Sequence, residues 1–146
     1  MSAAWPVVLN RLLVLLPTLP GWSDVEVFDG QPVTGDAPTS FVTVGFVEGE
    51  DYGGNYDRVR GAADLLEENG AIRSEIVCWS GDVDLPTVRA KAFALADAWE
   101  ATVAADQTLG VLPPSSTSSL AVDVAPKQTA GSQQRLVVTL TYFTRG

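Results

Sequence analysis

The chain predicts an α+β fold: a single antiparallel sheet of four to five strands with two helices packed on one face. Two segments, near residues 4–16 and 86–105, carry apolar residues at helical spacing, while several shorter runs alternate apolar and polar residues. A strand, a long helix and a hairpin close the chain in that order. With 146 residues, the size prior gives one domain. A composition 46% hydrophobic and 18% charged is that of a globular chain with a core, and excludes general disorder.

The first segment, Ala4–Leu16, places Val8, Leu9, Leu12, Leu13 and Leu16 on a helical stripe. Ser2 is positioned to cap it, and Pro6 falls in the first turn, where a missing N–H costs nothing. Pro17 and Pro20-Gly21 end it. Val25–Phe28 alternates and reads as a short strand, and Asp29–Thr39 is a Gly-, Pro- and Asp-rich loop. Ser40–Val47 is a strong strand with Val42, Val44 and Phe46 on one face and Phe41 and Thr43 on the other. Both faces are apolar enough to expect cover on each side, and Gly45 marks a bulge or a close backbone approach.

Glu48–Asn69 is an excursion. It opens with Glu48, Glu50 and Asp51, passes a tip at Tyr52-Gly53-Gly54-Asn55-Tyr56, and carries a basic pair, Arg58 and Arg60. Ala62–Asn69 is either a short helix or the start of a long β-hairpin; an excursion of this length between strands is a candidate functional element. The strand Ala71–Trp79 follows, with Ile72, Ile76 and Cys78 on one face and Arg73, Glu75, Val77 and Trp79 on the other. After a turn at Ser80–Asp84, the long helix starts with Asp82 or Asp84 as cap and Pro86 in its first turn. Its buried stripe is Val88, Ala92, Leu95, Ala96, Trp99 and Val103, and Thr108-Leu109-Gly110 stops the chain from continuing as helix. Ser118–Gln128 and Gln134–Thr144 are the last two strands, with the hairpin tip at Ala130-Gly131-Ser132. In the final strand Leu136, Val138, Leu140 and Tyr142 share one side.

The arrangement of Arg73 and Glu75 in a strand, Arg89 early in the long helix, Asp106 and Leu109-Gly110 at its end, and Gly131 before a last strand ending in Arg145 resembles the tail terminator, or tail completion, proteins of long-tailed bacteriophages. The resemblance covers about the last half of the chain. It implies the same fold. It also implies a structural virion protein whose subunits close into a ring, a hexamer, on the head-proximal end of the tail tube. Such a ring stops tube polymerisation and docks the head connector. The partners implied are the chain itself, the major tail tube protein and the connector or stopper proteins, with DNA only as passing cargo. The implied location is the tail–neck junction of the virion, after assembly in the host cytoplasm. A connector or stopper, a tail tube subunit and a non-viral acidic adaptor domain are the competing readings.

The chemistry points the same way. No histidine is present, which removes histidine-based nucleophilic catalysis, histidine metal sites and the commonest general base. No phosphate-binding, dinucleotide or EF-hand motif can be read; Asp82 and Asp84 are helix-cap residues. The carboxylate pairs Glu67-Glu68 and Glu48/Glu50 read as solvated acidic surface. We therefore expect no enzyme, cofactor or metal. The single cysteine, Cys78, sits in an apolar strand and reads as a buried structural thiol. The net charge of −9 argues against a dedicated nucleic-acid binder, although it suits a pore through which DNA slides. The longest apolar stretch, Val7–Leu16, is too short for a membrane span, which takes roughly 20 residues, and has no secretory-signal pattern. Aromatic residues without an obvious core role are interface candidates: Trp5 and Trp22 beside the first helix, Tyr52 and Tyr56 with Arg58 and Arg60 on the excursion. Arg73 and Glu75 join them as residues that pair with each other or reach a neighbouring subunit, as does Trp79, which lies under a second layer or at an interface.

Overall fold

A computed structural model describes residues 2–32, 39–81, 84–125 and 132–146. Two helices lie on one face of a six-stranded sheet, so the α+β class holds, with one strand more than expected. The strands are β1 (Glu26–Asp29), β2 (Ser40–Val44), β3 (Gly54–Arg60), β4 (Leu66–Ser80), β5 (Thr117–Val124) and β6 (Ser132–Arg145). Their order is β1-β2-β4-β6-β5. The sheet is mixed and not purely antiparallel, because β1 runs parallel to β2, with Val27 beside Val42. The strand β3 shares the β2 side of β4 and pairs with its first half, Gly54 opposite Ile72 and Arg60 opposite Leu66. Thus β2 and β3 sit end to end along one side of β4, with residues 45–53 looping out between them.

The backbone of the sheet is the β4–β6 ribbon, paired from Glu67–Arg145 to Ser80–Ser132. Alternation sorts its side chains. Ile72, Ile76 and Cys78 of β4 and Leu136, Val138, Leu140 and Tyr142 of β6 are buried beneath the helices. Helix α1 (Trp5–Leu15) contributes the fully buried Val8 and Leu12. Helix α2 (Leu85–Ala105) buries the whole expected stripe, Val88, Ala92, Leu95, Ala96, Trp99 and Val103. Asp84 caps α2 by accepting from the Thr87 N–H at 3.4 Å, and Pro86 is in the first turn. Asp82, Gly131 and the end of the expected Ser118–Gln128 run lie outside the described residues.

Two local expectations are corrected, and one open alternative is decided in favour of the β-hairpin. Ser2 does not cap α1: no side chain near the helix start does so, and the Ala4 N–H instead donates to a carboxylate of β4. The strand expected to reach Val47 stops at Val44, because Gly45 turns the chain with φ +75°; Phe46 leaves the strand face, and its carbonyl accepts from the Thr43 hydroxyl at 2.8 Å. Residues 62–69 are not a helix. A single 3₁₀ turn at Ala62–Asp64 closes the β3–β4 hairpin, with Ala63 and Asp64 both at positive φ.

Candidate subunit-interaction surface

The hairpin settles where the excursion goes. Strand β3 is exposed along most of its length and, among the described residues, pairs with β4 alone. At the opposite side of the sheet β5 pairs with β6 alone. Each outer edge therefore offers a row of backbone donors and acceptors. Tyr56 and Val59 are each about half exposed on β3, at 50% and 53%, and Tyr52 stands out at 77% just before it. Leu65 is exposed at the hairpin's far end. Arg60 is exposed beside them and donates to the Asp64 carbonyl at 3.0 Å. Tyr56 and Arg60 thus lie on the exposed edge strand, and Tyr52 on the segment that leads into it.

Arg58 belongs to a different site. Its Nε lies 3.4 Å from Oε1 of Glu68, directly across the β3–β4 register. Glu68 is 2% exposed, so the expectation of a solvated Glu67-Glu68 surface is wrong for Glu68. Its carboxylate accepts from the Ala4 N–H with both oxygens at 3.0 Å and from the Tyr142 hydroxyl at 2.6 Å. The carboxylate therefore does the work of an N-cap for α1, at the helix end where negative charge is favoured. Burial first, then the adjacent carboxylate, pushes the Tyr142 phenol far above its ordinary pKa, so it stays a donor. Gly70 makes this possible: a Cβ there would lie 2.2 Å from the Tyr142 ring, which crosses the glycine to reach Glu68. A signal for Glu68 was present. Extending the β4 alternation back from Ile72 puts Glu68 on the core face, but beginning the strand at Ala71 hid it.

Arg73 and Glu75 share the face away from the helices, yet the ion pairs they make are with other residues. Arg73 pairs with Glu50 at 3.1 Å. Glu75 pairs with Arg135 of β6 at 2.7 Å, and Arg135 also holds Glu48 at 3.1 Å. Glu75 is buried, and desolvation raises its pKa despite Arg135. Shallow clefts of about 520 Å³ and 370 Å³ flank this cluster, both lined by Glu50 and Arg73.

One of the tryptophans is removed from the interface set. Trp22 is core: it is 1% exposed, meets Trp99 edge-on at 6.1 Å and donates to the Leu95 carbonyl at 3.2 Å. The loop after α1 turns back under α2, a long-range contact that leaves no periodic pattern in the chain. Trp5 is half-buried, and its indole N–H donates to the Ala71 carbonyl at 2.9 Å, closing the gap between β2 and β3. Trp79 is half-buried near the end of β4, remote from the hairpin, with its N–H on the Thr39 carbonyl.

Among the described residues, no three Asp, Glu or Cys side chains are grouped as metal ligands, and no helix is long and apolar enough to cross a membrane. Burial raises the pKa of Cys78, as expected for a structural thiol. Compared with protein-family models and with curated proteins, the chain matches none.

Proposed function

We propose that the protein is a tail terminator: a structural subunit that closes into a ring, a hexamer, on the head-proximal end of a phage tail tube, ends its growth and presents a docking surface to the head connector. The observation that carries the reading is the exposed edge strand β3, which among the described residues pairs with β4 alone, set opposite β5, which among them pairs with β6 alone. Two different edges on opposite sides of one sheet are what a head-to-tail contact needs, and such a contact closes into a ring when its rotation permits. Tyr52, Tyr56 and Val59 supply the aromatic and apolar contact area typical of such interfaces. The resemblance of the last half of the chain to terminator proteins supports this reading, and the net charge of −9 suits a lumen that passes DNA without holding it.

Light scattering of the purified chain, with electron micrographs of the chain mixed with tail tubes, tests this. A closed ring, alone or at tube ends, is expected, and Tyr56→Ser with Val59→Ser should abolish it without lowering the melting temperature. Filaments would instead make the chain a tube subunit. A chain that stays monomeric and is missing from particles overturns the proposal. In a phage, gene deletion should give filled heads detached from tails; normal tails with leaking heads would replace the terminator by a connector or stopper.

A further inference from the structure

Residues 45–53 are anchored at both ends and held in the middle by charge. At the base, the Gly45 N–H approaches the Ser74 hydroxyl at 3.4 Å, and the Arg73 N–H donates to the Gly53 carbonyl at 2.8 Å. The two ends touch: a Cβ on Gly53 would lie 1.8 Å from the Gly45 carbonyl oxygen, so only glycine backbones allow this approach. Between them only Val47 is buried, while Glu48 through Tyr52 are all exposed. The middle of the segment folds over the sheet face opposite the helices, where Glu48 meets Arg135 and Glu50 meets Arg73. Clefts on both sides leave this contact narrow.

We infer that residues 45–53 form a strap, hinged at its glycine base and latched to the sheet by the Glu48–Arg135 and Glu50–Arg73 ion pairs, which opens as a unit while the sheet stays folded. The physical ground is the disparity between the two kinds of anchor. The base is built from backbone hydrogen bonds tied into β4. The latch consists of one buried apolar side chain, Val47, and two part-exposed ion pairs, each of which holds little and is weakened by salt. Opening carries Tyr52 away from the sheet and bares the two guanidiniums of Arg73 and Arg135 beside the buried Glu75. The strap stands independently of the tail-terminator reading, because it concerns the isolated subunit.

Hydrogen–deuterium exchange of the full chain, read by mass spectrometry, tests it. In the Glu48→Gln, Glu50→Gln double variant, amides of residues 46–50 should exchange about tenfold faster, the combined hold of two part-exposed ion pairs. Amides of β2 and of residues 71–79 should be unchanged. In the wild type, about 1 M salt, which screens charges beyond ~3 Å, should reproduce the acceleration, and in the double variant salt should add nothing. Exchange in 46–50 that does not respond to the substitutions, or that speeds up together with β2 and β4, overturns the strap. A variant that fails to fold is replaced by the salt experiment on the wild type, which decides by the same comparison.

Discussion

Replacing Arg58 by methionine should destabilise the protein far more than its place on an exposed strand suggests. The change keeps most of the side-chain stem but removes the charge facing Glu68. Glu68 is 2% exposed, and Arg58 is the cation its carboxylate meets, at 3.4 Å. Stranding a buried charge by removing its partner typically costs about 3–5 kcal/mol. Two features moderate that here. The carboxylate keeps its bonds to the Ala4 N–H and the Tyr142 hydroxyl, and the Arg58 side chain is itself one-quarter exposed. A loss of about 2–3 kcal/mol is the outcome, which for a chain of this size lowers the thermal midpoint by roughly 4–12 °C. Urea denaturation of four proteins forms the cycle: wild type, Arg58→Met, Glu68→Gln and the double variant. Against a neutral Gln at position 68 the arginine has no buried carboxylate to balance, so its replacement should cost at least about 1 kcal/mol less than it does against Glu68. A cost for Arg58→Met that is the same with Glu or Gln at position 68 would refute the reasoning, and so would a midpoint shift below a degree.

Four further outcomes follow from the same contacts. Gly70→Ala should cost about 1–3 kcal/mol of stability by urea denaturation, since its Cβ would enter the Tyr142 ring. Glu75→Gln should leave stability at neutral pH unchanged or higher. The folded chain holds the Glu75 proton more tightly than the unfolded chain does, so this group adds stability as pH falls through its raised pKa and withdraws it as pH rises; melts of both proteins across the acidic range should show the wild type gaining on the variant on acidification. Arg60→Glu should leave the melting temperature within about a degree, because its pairing with Asp64 is exposed on both sides, while weakening ring formation in light scattering. Cys78 should react with a thiol reagent only as fast as the protein unfolds, measured by reagent absorbance with and without urea.

The parts of the fold that rest on local periodicity were legible. The α2 stripe from Val88 to Val103 and the inward face of β6 are set by repeat spacing alone, and both lie where the spacing puts them. The parts that rest on long-range geometry were not. That β1 pairs parallel with β2 depends on how two separate strands meet in the sheet, which no pattern within either strand encodes. Trp22 has no periodic context, because it follows the end of α1 in a run of turns, and its burial depends on α2 lying overhead. For the candidate surface, Tyr52, Tyr56 and Arg60 were legible as glycine- and charge-rich excursion residues. Arg58 was grouped with Arg60 by sequence neighbourhood, although the two differ in what stands opposite: a buried carboxylate across the strand for one, a solvent-exposed turn for the other.

That contrast orders the ion pairs of this acidic chain by what each can do. Coulomb attraction between neighbouring charges varies with the medium around them far more than with a few tenths of an ångström of separation. Arg58–Glu68, the longer contact at 3.4 Å, has its carboxylate sealed under Tyr142 and the start of α1, so it is bound into the global fold. Arg73–Glu50 is shorter at 3.1 Å but has both partners in contact with solvent, so water and salt compete with it and it holds only a segment. Arg135 stands between the two cases: one carboxylate it contacts is buried in the sheet and the other rides on the strap, so losing the second leaves the first still paired. A subunit of the proposed ring would use charges of both kinds. The buried ones keep the hairpin fixed in direction relative to α1, and the exposed ones can be given up at a contact without loosening the core. The hairpin that carries Tyr56 and Val59 is therefore held in place from within by Glu68, while among the described residues the outer edge of β3 pairs with no other strand.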